Sequence, residues 1–130
     1  MTAGKAERVD GRIIDLATSF WEGPDERLLI GYRRLEDIVR KRTGINEHGA
    51  KLFSQAFGGP SAKLGWKDLD GGERAGRASL FTAAFMAYRN PRAHREVEGD
   101  ANDQLAEFLL LNHLYRLEKN SSEQSGEGSS

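Results

Sequence analysis

Three arginines and one histidine fall within seven residues of the run Tyr88-Arg89-Asn90-Pro91-Arg92-Ala93-His94-Arg95, and no acid interrupts them. Arginine presents a planar fork of donors that matches phosphate oxygens, and it does not lose its charge. Histidine titrates near neutral pH and can take or give a proton. Together they suit phosphodiester chemistry. An arginine such as Arg89 would hold the phosphate and stabilise charge, while His94 would move protons. Arg92 and Arg95 would hold the nucleic-acid backbone. RNA brings its own nucleophile, the 2′-hydroxyl, and the segment holds no carboxylate cluster that implies a metal. The same residues have an ordinary explanation too. Cations gather at helix C-termini because the macrodipole favours them there, and Pro91 can simply turn the chain.

Other signatures are scarce. The chain has no cysteine, which excludes disulfides, thiolate nucleophiles, iron–sulfur clusters and cysteine zinc sites. There is no G-x-x-x-x-G-K phosphate loop and no G-x-S-x-G elbow, and no cofactor motif is expected. The histidines, His48, His94 and His113, share no helical turn, so no histidine metal site is expected. His113 reads as a satisfied core or interface residue and His48 as a loop residue. With 19 basic against 20 acidic residues, net −1, coating of DNA or anionic membrane through bulk charge is disfavoured. No run approaches the roughly 18 apolar residues of a membrane span. The first residues carry no apolar signal-peptide core. A cytoplasmic protein with no membrane partner is expected.

The elements that must position the basic run follow from periodicity. A chain of 130 residues with 38% apolar side chains and 15 glycines can bury one core. Val9, Ile13, Leu16 and Phe20 mark one face of a helix over residues 5–20. Gly23-Pro24 stops it. A second helix starts with Asp25 and Glu26, carries Leu28, Tyr32, Leu35 and Val39, and ends in Arg40, Lys41 and Arg42 before Gly44. A short helix holds Leu52, Phe53, Ala56 and Phe57. Residues 58–72 read as a glycine-rich surface loop pinned by Trp66. A helix from Glu73 to Tyr88 turns Leu80, Phe81, Ala84, Phe85 and Tyr88 inward and ends near Arg89, because Pro91 biases Asn90 away from helical geometry. The last helix, 102–117, is apolar nearly all round. That pattern fits burial in a monomeric bundle, or a helix shared with a dimer interface. The expected fold is all-α, a four-helix bundle with an additional short helix. The domain is expected over 1–118, with a disordered polar tail over 119–130, where no apolar side chain offsets the entropy of ordering.

The six residues Arg89-Asn90-Pro91-Arg92-Ala93-His94 resemble the R-x-x-x-x-H motif of the HEPN superfamily, with the customary polar residue after the arginine. The chain resembles more closely the bacterial Ymh-like family of uncharacterised proteins. That likeness also rests on Tyr32-Arg33-Arg34-Leu35-Glu36 and Lys51-Leu52-Phe53-Ser54-Gln55-Ala56-Phe57-Gly58, and it covers residues 20–117. The resemblance implies a HEPN-like helical homodimer and a metal-independent endoribonuclease of a toxin–antitoxin, abortive-infection or antiphage system. RNA is the implied substrate, and an antitoxin or defence-system protein is a possible partner. Arg89, Asn90 and His94 match the site positions of that superfamily, whose Arg and His line a cleft at the dimer interface. Some members of the superfamily are non-catalytic modules that bind nucleic acid, a nucleotide or a partner protein, which is the alternative function here. Glu36 matches an acidic position of the Ymh-like family, although an ion pair with Arg40, four residues on, explains it equally well.

Overall fold

The computed structural model describes residues 8–94 and 99–124, and they are mostly helical, as the all-α reading requires. A 3₁₀ turn, Gly11–Ile13, leads into α1, Ile14–Thr18, and a second 3₁₀ turn, Phe20–Glu22. Then come α2, Pro24–Thr43, α3, Gly49–Phe57, and a two-residue strand β1, Leu64–Gly65. Helix α4, Gly71–Ala84, passes through a π-helical turn, Phe85–Arg89, into α5, Asn90–His94. Helix α6, Ala101–Asn120, and strand β2, Ser122–Glu123, complete the described chain.

The single helix expected over residues 5–20 is a correction. Its described part is broken, because Ile13 leaves helical geometry at φ −128°, ψ 17°. Asp10 caps the first turn by accepting the Arg12 N–H. Ile13, Leu16 and Phe20 are nevertheless all buried, so the apolar face survives the break.

Helix α2 follows its sequence signals closely. Pro24 needs no N–H at the first helical position, and Asp25 and Glu26 face the positive end of the dipole. Arg40, Lys41 and Arg42 sit at the other end, and Gly44 closes the helix at φ +76°. Leu28, Tyr32, Leu35 and Val39 are fully buried. Helix α6 packs against α2 at Gly31. A Cβ there would meet Leu111 Cδ2 at 2.5 Å, and the Tyr115 hydroxyl donates to the Gly31 carbonyl at 2.6 Å.

Aromatic rings join α3 to α4 and the π turn. Phe53 and Phe85 lie 4.3 Å apart between centroids, and Phe57 and Phe81 lie 4.6 Å apart. Trp66 pins the 58–72 loop as expected, stacking on Phe57 at 5.0 Å and donating from Nε1 to the Leu117 carbonyl at 2.9 Å.

Residues 119–124 differ from the disordered tail expected over 119–130. Helix α6 runs to Asn120, and β2 pairs antiparallel with β1, Leu64 opposite Glu123 and Gly65 opposite Ser122. Arg42 reaches Ser121 Oγ at 2.9 Å and the Ser121 carbonyl at 3.1 Å. Hydrogen bonding to backbone and guanidinium orders this segment where apolar burial could not. Residues 125–130 lie outside the described residues.

Helix α6 is not buried on every side within one chain. Phe108, Leu111, Leu114, Tyr115 and Leu117 are buried, whereas Leu105 and Leu109 are exposed. His113 is exposed rather than a core residue, and Tyr88 faces outward rather than inward. Among the described residues, no helix is long and apolar enough to cross a membrane.

Candidate active site

The basic run is carried by one helical stretch that bends its own rules at Phe85. Helix α4 is opened by a capping box in which Asp70 accepts the Glu73 N–H and the Glu73 side chain accepts the Asp70 N–H. In the following π turn the Asn90 N–H bonds to the Phe85 carbonyl, five residues back. A proline inside an α-helix clashes with the carbonyl four residues before it. The wider π turn lies immediately ahead of Pro91 and relaxes that clash. The helix therefore runs on to His94 instead of ending near Arg89, with Asn90 at φ −62°, ψ −48°.

Arg89 reaches α2. Its Nε and Nη2 donate to Glu36 Oε1 at 3.1 and 3.0 Å. Glu36 is 1% exposed, and its other oxygen, Oε2, accepts the Gly49 N–H at 2.6 Å. One buried carboxylate thus holds both the arginine and the first residue of α3. These bonds do not use Arg89 Nη1. Arg40 is not the partner of Glu36; it pairs with Asp37 and donates to the Glu47 carbonyl. Asn90 stands beside Gly49, whose φ is +57°; a Cβ on that glycine would lie 3.3 Å from Asn90 Oδ1.

Arg92 points into the protein. Nε and Nη2 fork onto Glu107 of α6, each at 2.8 Å, and Nη1 donates to Asp25 of α2 at 2.8 Å. Its side chain is 6% exposed. The hydrogen bond to Glu107 raises the Arg92 pKa above its ordinary value. The Tyr32 hydroxyl donates to Glu107 Oε2 at 2.7 Å, and burial, followed by the charge of Glu107, pushes the phenol pKa up, so it stays a neutral donor. Each of its three nitrogens donates to a carboxylate of the same chain. Arg92, expected to hold a nucleic-acid backbone, here ties the motif helix to α2 and α6.

His94 closes α5, and its side chain falls outside what is described; Arg95 lies outside the described residues. Thus Arg89 and Asn90 come together with Glu36 and Gly49, while Arg92 separates from them into the interior. The sequence did not mark Glu107, Asp25 and Tyr32 as partners of Arg92, because no local spacing links them to it. His48, read as a loop residue, is exposed at the N-terminus of α3, next to Gly49. Among the described residues no group of three or more His, Cys, Asp or Glu is placed to hold a metal ion.

Comparison with curated proteins and with solved structures returns no match. A family model, described as a protein of unknown function (Hypoth_ymh), matches residues 26–117. The match takes in Glu36, the whole Arg89–His94 run and Glu107, and the chain belongs to the Hypoth_ymh family.

Proposed function

We propose that this protein is a metal-independent endoribonuclease with a HEPN-like four-helix bundle and an additional short helix. It works as a cytoplasmic homodimer in a bacterial toxin–antitoxin, abortive-infection or antiphage system. One observation carries the reading: Arg89, at the start of the R-x-x-x-x-H run, is held by a buried carboxylate through Nε and Nη2, bonds that do not use Nη1. A guanidinium fixed on one edge is pre-organised to meet a phosphate on the other. Arg89 would neutralise charge that develops on the phosphate as the 2′-oxygen attacks, His94 would move a proton, and Asn90 would orient the backbone. Arg92 acts through Glu107 and Asp25 as a positioning residue.

The exposure of the Arg89 side chain, only 15%, favours a second reading, a non-catalytic dimeric module that binds nucleic acid, a nucleotide or a partner protein. Incubation of the purified protein with total RNA in excess EDTA separates the two. Cleavage that leaves a 2′,3′-cyclic phosphate, and that is lost in His94→Ala and Arg89→Ala, supports the ribonuclease. Arg89→Lys should also be damaged, because a point charge cannot reproduce the fork. RNA binding without cleavage, weakened by Arg89→Ala, supports the module.

A further inference from the structure

A cleft of about 410 Å³ lies between the 57–66 segment, the first turns of α4 and Gln124. Small-molecule sites fall in the range of about 300–1,000 Å³ and join an apolar wall to a few placed polar groups. This cleft stands apart from the Arg89 site. Arg74, which lines it, and Arg89 sit at opposite ends of one helical stretch, about 20 Å apart along its axis.

Phe57, Leu64 and Trp66 supply its apolar wall. Trp66 is fixed there by its bond to the Leu117 carbonyl and by the Phe57 ring stacked on it, and Leu64 by strand pairing with Glu123. Gln124 closes one side. Its N–H donates to the Lys63 carbonyl at 2.9 Å and its Nε2 to the Ser122 carbonyl at 3.1 Å, bonds that do not use Oε1. Gly65 makes room for it, since a Cβ there would stand 3.1 Å from the Gln124 side chain. At Gly71 a Cβ would meet nothing within 4 Å, so the opposite wall leaves open space. Among the described residues, Arg74 is the one charged residue that lines the cleft. Its Nε donates to the Leu69 carbonyl at 3.0 Å and its Nη2 to the Lys67 carbonyl at 3.1 Å. Both acceptors are neutral, so these bonds place the guanidinium without balancing its charge, and neither uses Nη1. Arg12, Arg34, Arg89 and Arg92, by contrast, all bond carboxylates.

We propose that this cleft binds a small carboxylate with an apolar body, the carboxylate on Arg74 and the body against Phe57, Leu64 and Trp66. One guanidinium with one amide beside it matches a single negative charge shared by two acceptor oxygens. A dianionic phosphate would keep an unbalanced charge there. A nucleoside would bring hydroxyls and base edges into the cleft with Gln124 alone beside Arg74 to receive them. The site is independent of the ribonuclease reading above.

The test is an NMR titration of the full chain, followed at its N–H signals, with phenylacetate, phenylacetamide and phenyl phosphate as probes. Phenylacetate should shift the Trp66 indole and Gln124 side-chain signals saturably, with a dissociation constant of about 1 mM or tighter. The Trp21 indole, which does not line the cleft, should stay in place. Phenylacetamide and phenyl phosphate should each bind about ten-fold more weakly or worse, because neither matches one guanidinium in charge. Gly71→Leu fills the cleft and leaves Arg74 intact, so it should abolish the shifts with an unchanged melting temperature. Arg74→Gln should weaken phenylacetate about ten-fold. Shifts that do not saturate by about 10 mM, or that survive in Gly71→Leu, would overturn the site. Equal binding of phenylacetamide would overturn the role of Arg74, and tighter binding of phenyl phosphate would overturn the carboxylate assignment.

Discussion

Arg92 and Glu107 form a two-bonded ion pair, 6% and 7% exposed at the side chains, that ties the short helix of the basic run to the last long helix. Removing one partner of such a pair leaves a buried charge uncompensated. Arg92→Ala and Glu107→Ala should each cost about 3–5 kcal/mol of stability in urea unfolding. Arg92→Met should be milder than Arg92→Ala, because both leave Glu107 without its cation but Met fills the volume. A change below about 0.5 kcal/mol, the range of ordinary surface substitutions, would show that Arg92 is free in solution.

Glu36→Gln keeps an acceptor for the Gly49 N–H but removes the charge that holds Arg89. Misplacing a reacting group by about 1 Å can cost roughly 10²-fold. RNA cleavage by Glu36→Gln should fall by about that factor, mainly in kcat. An unchanged kcat would mean that Arg89 keeps its place without the carboxylate.

Phe85 and Leu109 should behave differently. Phe85 is fully buried against Tyr32 and Phe53, so Phe85→Ala should cost about 3–5 kcal/mol. Leu109 is 56% exposed, so Leu109→Ala should change chain stability by less than about 0.5 kcal/mol. Light scattering should give a dimer for the wild type, and Leu109→Asp should weaken it if α6 forms the interface. A wild-type monomer would count against the homodimer.

Truncation after Leu117 should lower the melting temperature sharply. It removes Glu118, 2% exposed, whose two oxygens receive Arg12 and Arg42 at 2.6 Å each, and it removes β2. An unchanged melting temperature would show that 118–124 contribute nothing to the fold.

Acid should loosen the N-terminal segment first. The Arg34 fork holds the Asp15 carboxyl down at about 2, against an ordinary 3.8, and the hydrogen bond from Arg12 lowers the Asp10 pKa. Groups depressed in the folded state contribute stability above their unfolded pKa and lose it as pH falls through the folded one. Melting temperature should therefore drop between about pH 4 and 2, and Asp10→Asn with Asp15→Asn should flatten that drop. The Asp15 share is small, since this pair is exposed to solvent.

Local chemistry was legible from the residues alone. Helix α2 begins and ends where Pro24, the early acids, the late bases and Gly44 place it, because caps and dipole effects act within one turn. The basic run was legible for a similar reason, since its residues are contiguous. Pro91 misled because the bias on the residue before proline is a local preference, which Asn90 overrides at φ −62°, ψ −48°, while the π turn at Phe85–Arg89 eases the separate clash with the carbonyl four residues back. The partners of the arginines were out of reach. Glu36 and Glu107 lie on two helices that cross where Gly31 lets Leu111 approach, and that crossing alone decides that Arg89 meets one and Arg92 the other. Residues 118–124 were ordered by the same kind of distant contact: Arg12, Arg42 and the β1 backbone satisfy polar groups that, read locally, had nothing to hold them.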